Sequence, residues 1–260
     1  MSTSVQSEAA SHVGTVYDVA TLSSFAPDTL LGDKKTFPYF SRVAPAVSEF
    51  VRVQLAGFVY FRDIGGIGWS DIALIVEVSQ YGIDFAQNYI EQGEELQPPI
   101  NVVQYRTMLP GSDYRVELQT VKQSGARVII ADTILINFHE FMETANEEGL
   151  VGEHYVWFTS PVVMANFFSS SEPSPLSRGM LASLLPYPAL NPLFDCFANA
   201  WRVADPVLYP GAGLGQLPPP TTSLGANLAV ATIAALDQID KMQMLDGRRT
   251  WGYKVHRSHG

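Results

Sequence analysis

The sequence is poor in cysteine, in basic residues and in long apolar runs, and each shortage excludes something. Cys196 is the single cysteine, so an internal disulfide and a cysteine metal cluster are both ruled out. Its neighbours Phe194 and Phe197 lead us to expect a buried thiol. Sixteen Lys and Arg stand against twenty-six Asp and Glu, a net charge of −10. The basic residues are scattered, which argues against a nucleic-acid partner. The longest weakly polar run, Leu224 to Leu236, is interrupted by Asn227 and Thr232 and closed by Asp237 and Asp240. It falls short of the ~20 residues that a membrane span requires. Met1 to Ala10 is Ser-rich with Glu8, not a basic start followed by an apolar block, so neither a signal peptide nor a transmembrane segment is read in this chain. There is no N-x-[ST] acceptor.

Catalytic motifs are equally scarce. His139-Glu140 is followed by Glu143 where a metalloprotease helix needs a second His, so a solvated helix face is expected rather than a zinc site. Gly211, Gly213 and Gly215 imitate a phosphate loop, but they lie in a Pro-rich connection and lack the Lys-Ser/Thr ending. No G-x-S-x-G elbow exists, and the pairs Glu94-Glu95 and Glu147-Glu148 fall at predicted helix ends. The expectation is a protein that is not an enzyme and uses no cofactor or metal.

What the chain does have is 47% apolar residues over 260 positions, enough for a sizeable core. Asp71 to Glu77 (DIALIVE) is the continuous apolar run of a strand buried on both faces. Ile83, Phe85, Ala86, Tyr89 and Ile90 then carry helical spacing until Gly93 and Pro98-Pro99. Ile100 to Tyr105 reads as the second strand. Ser112 is placed to cap a helix burying Tyr114, Leu118 and Val121, with Gly125 at its end. Arg127 to Ala131 reads as the third strand, Leu135 to Glu148 as a helix with Phe138, Phe141, Met142 and Ala145 on one stripe, and His154 to Phe158 as the fourth strand. Strands separated by single helices require a parallel sheet with right-handed crossovers.

The flanks are less regular. Phe50 to Phe61 reads as a helix with Phe50, Val53, Leu55 and Phe58 largely apolar. Ser169 to Ser177 is a Ser/Pro loop, and Asn191-Pro192 opens a helix expected to bury Leu193, Phe194, Phe197 and Trp201. After the Pro/Gly-rich stretch Pro206 to Pro220, a last helix from about Ser223 to Met244 carries Leu228, Ala231, Ala235, Ile239 and Met242 on one side.

Several phrases resemble the receptor family ligand-binding region, found in natriuretic-peptide-type guanylyl cyclase receptors, class C G-protein-coupled receptors and related bacterial binding proteins. They are LLGDKKTFPYFSRVAP (Leu30 to Pro45), IGWSDIALIVEVSQYG (Ile67 to Gly82), ARVIIADT (Ala126 to Thr133) with EEGLVGEHYVWFTS (Glu147 to Ser160), and ANLAVATIAALDQI (Ala226 to Ile239). The likeness runs in order from about Ser23 to Met242. It implies a type I periplasmic-binding-protein-like α/β fold, a parallel sheet flanked by helices, with two lobes closing on a ligand. On that map residues 1–68 are a partial lobe 1, 69–186 a complete lobe 2, and 187–260 a return to lobe 1. The family's first lobe-1 strands and its closing segment find no match, so the chain is expected to be truncated at both ends or to be a divergent paralogue.

The same resemblance implies a receptor's sensor module that binds a small polar molecule, amino-acid-like ones included, in the cleft between lobes. It implies an extracellular setting, membrane attachment only through segments outside this chain, and a homodimer through lobe 1, for which the apolar face of Phe50 to Phe61 is a candidate beside plain core packing. Tyr81 matches the cleft-facing tyrosine of the family's "YG" pair, and Ser79 and Gln80 share its location. Thr159 and Ser160 match a polar loop lining the cleft, Thr133 ends the third strand at the same rim, and Ser24 stands near the lobe-1 loop. Pro27 and Val47 replace residues with which class C receptors hold an α-amino acid. Two alternatives accompany this reading: a degenerate receptor fragment that binds nothing, and a transporter's solute-binding protein.

Overall fold

The computed structural model describes residues 4–66, 68–133, 136–160, 163, 175–177, 179–183, 192–213, 215, 218 and 220–245. Asn191 and most of the Ser/Pro loop, 169–174, lie outside the described residues.

The apolar runs become adjacent parallel strands. Strands β3 (Asp71–Glu77), β4 (Asn101–Met108), β5 (Val128–Asp132), β6 (Val156–Thr159) and β7 (Met180–Ala182) form one parallel sheet in the order β4-β3-β5-β6-β7. β7 adds a strand beyond the four expected. All of β5, and β3 after Asp71, are buried because helices cover both faces.

Side-chain alternation divides the core in two. On one face Ile72, Leu74, Val76, Val128, Ile130 and Phe158 pack against helices α2 (Val47–Asp63) and α3 (Gln80–Glu94). On the other, Ala73, Ile75, Ile129, Ala131 and Trp157 pack against α4 (Arg115–Gln123) and α5 (Phe138–Glu147). The result is a three-layer α/β/α unit, as the residue pattern implied. α5 begins on an Asn137 cap. α4, by contrast, is not capped by Ser112, whose hydroxyl donates to the Leu109 carbonyl; Asp113 Oδ1 accepts from the Arg115 N–H instead.

Of the apolar face expected on α2, Leu55 and Phe58 are used in this core, with Val51, and Phe50 packs in a smaller cluster with Phe25 and Ala44, whereas Val53 remains exposed. A smaller unit precedes α2. Helix α1 (Ser4–Val16), unforeseen in the Ser/Ala-rich start, lies beside a two-stranded parallel sheet of β1 (Thr21–Ser23) and β2 (Phe40–Arg42). Ala26, Leu31, Phe37 and Phe40 form its own small core. Hydrogen bonds join it to the main unit: the Val47 N–H donates to the Pro27 carbonyl at 2.8 Å, and the Thr29 N–H to the side-chain Oδ2 of Asp84 at 3.1 Å.

Two further helices, α6 (Pro192–Val203) and α7 (Pro220–Leu245), complete the described chain. Two expectations fail here. Cys196 is exposed, because α6 buries Ala198 and stacks Phe197 on Trp201 one turn along, which leaves Cys196 on another side. The stripe expected on α7 is not covered: Ala231, Ala235, Ile239 and Met242 are all exposed.

Candidate functional site

Strand order sets where a site forms. The chain passes outward from β3 to β4, then returns across β3 to β5 and continues to β6 and β7. The direction reverses at β3 and β5, and a crevice opens beyond the carboxyl ends of strands at such a switch point. β3 ends there on Glu77, β5 on Asp132 and Thr133, and β6 on Thr159 and Ser160. All five are buried.

The turn from β3 into α3 delivers Tyr81 to the same place. Ser79 caps α3: its Oγ accepts the Gly82 N–H at 3.0 Å and donates to Glu77 Oε1 at 2.8 Å. Gly82 is required because a Cβ there would lie 2.2 Å from the Glu77 carbonyl oxygen. The YG pair thus has a steric cause. Glycine lets the helix start against the strand end, and Tyr81 swings over β5.

The Tyr81 hydroxyl donates to Asp132 Oδ2 at 2.7 Å. Burial is the main cause that pushes the Asp132 carboxyl up to about 7; the Glu77 charge adds to the rise, while hydrogen bonds from Tyr81 and Ser160 oppose it. Burial, and then the Asp132 charge, hold the Tyr81 phenol well above its ordinary value, so it remains a donor. The second carboxylate oxygen, Asp132 Oδ1, has no hydrogen-bond partner.

Helix α2 contributes Gln54 from the same face. Its amide nitrogen donates to the Thr159 carbonyl at 3.1 Å and to Ser183 Oγ at 3.5 Å. Since a carbonyl only accepts, the amide orientation is fixed and Oε1 is left as a buried acceptor without a donor. The Thr133 and Thr159 hydroxyls are also buried and unpartnered. Thr159 pairs with Ala131, so alternation sends its side chain toward α4 and α5 while Asp132 faces α2 and α3.

Of the residues expected from sequence, Tyr81, Thr133, Thr159 and Ser160 come together at this edge. Ser24 does not join them: it is half-buried after β1 and makes no hydrogen bond to the cluster, while its neighbour Ser23 meets Ser7 at 3.3 Å. Glu77, Asp132 and Gln54 are additions from the structure. Both acids close apolar strands, which is a readable sign, and Gln54 interrupts the apolar stripe of α2 between Val51, Leu55 and Phe58.

The cluster brings together two acids, Glu77 and Asp132. Among the described residues no group of three or more His, Cys, Asp and Glu is arranged to hold a metal. His139 and Glu143 are an exposed pair one turn apart on α5.

Comparison with protein families decides the relationship. The receptor family ligand binding region matches residues 1–255. The chain belongs to that family. The receptor family ligand binding region is a ligand-binding rather than a catalytic domain, it is the extracellular part of receptors, and the five-stranded parallel sheet flanked by helices agrees with its periplasmic-binding-protein-like fold. Among the described residues, no helix is long and apolar enough to cross a membrane. No curated protein matches the chain.

Proposed function

We propose that this chain is the sensing module of a receptor and binds a small polar molecule carrying an amine at the carboxyl edge of its five-stranded sheet. One observation carries the reading: Asp132 Oδ1 and Gln54 Oε1 are buried acceptors that lack a donor. An unsatisfied buried acceptor costs about 1 to 3 kcal/mol, so a ligand N–H entering here removes a standing penalty. Glu77 adds negative charge beside Asp132. A primary ammonium, which only donates, suits that deficit.

The division into lobes at 1–68, 69–186 and 187–260 belongs to this proposal, although α2, inside the first range, packs on the five-stranded sheet of the second; the β1–β2 unit meets α3 through Thr29 and Asp84 on one side of the cleft. Closure of the lobes on the ligand supplies the signal, since only a ligand that prefers one state shifts an equilibrium. A homodimer through lobe 1 would use exposed residues rather than the buried Leu55 and Phe58 of α2, and an extracellular location follows the family's receptors.

Thermal-shift and calorimetric titration with primary amines and α-amino acids, each beside its hydroxyl analogue, tests the reading. Amines are expected to stabilise the chain where the alcohols do not. Affinity is expected to rise as pH increases through about 7, where Asp132 ionises, and to fall at least ten-fold in Asp132→Asn. Equal response to amines and alcohols, or no response to either, rejects it in favour of a fragment without binding activity.

A further inference from the structure

A second recess lies away from the strand ends, between the outer strand β4 and helix α4. It encloses about 530 Å³ and is lined by Tyr105, Arg106 and Thr107 from the strand and Val116, Glu117 and Thr120 from the helix. That volume lies within the ~300–1,000 Å³ common for small-molecule sites. None of the residues of the Tyr81–Asp132 cluster takes part.

Its charges differ from their neighbours on α4. On α4, Arg115 is engaged by Asp113, Glu147 and Glu148, and Lys122 donates to the Glu148 carbonyl. Arg106 is half-buried, yet its guanidinium makes no ion pair or hydrogen bond among the described residues. Glu117 is half-buried as well, and its Oε2 is shielded from solvent without a hydrogen-bond partner. The two line one space but do not reach each other within ion-pair distance.

The strand register accounts for Arg106 being there. Ile72 pairs with Val102 and Ala73 with Gln104, so Val103 is an inserted residue and the register shifts. Beyond the bulge Ile75 pairs with Arg106, and Ile75 faces the core on the α4 and α5 side. Without the bulge Tyr105 would stand opposite Ile75. Bulges re-aim side chains in this way at working positions. Here the consequence is a cation turned toward α4, where Glu117 sits in the first turn.

We infer that this recess is a separate small-molecule site that takes a zwitterion with an apolar body, such as an α-amino acid with an aromatic or aliphatic side chain. The carboxylate meets Arg106, for which a planar guanidinium offers a two-pronged donor. The ammonium meets Glu117 Oε2. The flank of Val116 supplies apolar wall. A ligand with one charge satisfies one side chain and presents the wrong sign, or nothing, to the other. Selectivity for the zwitterion follows from the two unpaired charges alone.

The test uses the whole chain and three matched probes: L-phenylalanine, 3-phenylpropanoate without the ammonium, and 2-phenylethylamine without the carboxylate. Binding is read from the amide resonances of Thr107, Val116 and Thr120. L-phenylalanine is expected to move them at least ten-fold more tightly than either single-charge analogue. Arg106→Gln and Glu117→Gln, both at half-exposed positions and read beside an unchanged melting temperature, are each expected to weaken it ten-fold or more. Asp132→Asn is expected to leave these resonances and their titration unchanged, even if it abolishes amine binding at the strand ends, so the two sites fail independently. No movement of these amides at millimolar L-phenylalanine, equal movement by 3-phenylpropanoate, or full retention in Arg106→Gln overturns the inference.

Discussion

The five-stranded unit and the C-terminal helix α7 carry similar amounts of apolar sequence and use it in opposite ways. Between Asp71 and Thr159 every strand and helix has a partner layer, and Phe85, Phe141 and Trp157 are all but inaccessible. α7 carries Val230, Ile233, Leu236, Ile239 and Met242, and all of them are exposed. An apolar residue contributes stability only in proportion to the area it removes from water. The sequence pattern of a helix therefore reports the existence of the element, whereas its contribution to the fold depends on the neighbour it meets.

Substitutions sharpen that contrast, and the largest effect belongs to the core. Phe141 touches Tyr114, Phe138 and Trp157 with no solvent exposure. Phe141→Ala is expected to cost about 3 to 5 kcal/mol in denaturant unfolding. A loss below about 1 kcal/mol would show that the layer between α4, α5 and the sheet is not packed as described.

Next in size is a pH effect confined to the strand ends. The folded-state value of Asp132, about 7, lies above that of a carboxyl in the unfolded chain, so the folded protein holds this proton more tightly. The stability it supplies is complete below about pH 4 and is lost as pH rises through about 7. Asp132→Asn keeps an acceptor for Tyr81 and removes the ionisation. Its melting temperature is expected to match the parent near pH 4 and to exceed it at pH 8, by about 2 to 4 kcal/mol of stability. Parallel pH profiles for the two proteins would refute the assignment of the buried charge to Asp132.

Gly82→Ala follows. Its Cβ would stand 2.2 Å from a backbone oxygen of Glu77, which must move, and overpacking of this kind costs about 1 to 3 kcal/mol. Unlike a simple core defect, it also displaces Tyr81 from Asp132, so the tyrosine fluorescence and the amine response should change together. A variant that is destabilised with an unchanged amine response would separate the turn from the site.

How far the residues alone foretold this arrangement differs between the fold and the site. The runs DIALIVE and RVIIA were legible as strands because burial on both faces demands continuous apolar sequence. Tyr81, Thr159 and Ser160 were legible through the resemblance to the receptor family, and Thr133 as the end of the third strand at the same rim. Gln54 was not: it reaches Thr159 across 105 positions, and nothing local marks a helix glutamine for that role. Glu77 was read only as the end of a strand and Asp132 was not singled out, because a charge at a strand end ordinarily faces water; only the fold shows both enclosed. The α1 helix escaped for the opposite reason. Ser and Ala carry little apolar periodicity, and its buried positions are Ser7, Ser11 and Gly14 rather than large side chains.

The smallest effect is expected on α7, and it decides what that helix is for. Ile233 is 67% exposed, so Ile233→Ala should change unfolding of the isolated chain by no more than about 0.5 kcal/mol. Sedimentation of the same variant beside the parent completes the measurement, because an exposed apolar helix is also where association between chains would occur. If the parent sediments as a monomer and the variant is equally stable, α7 is a free helix in this chain. A loss of 1 kcal/mol or more means that Ile233 has a partner surface, and the contrast between the packed unit and its C-terminal helix would then fail at its weaker end.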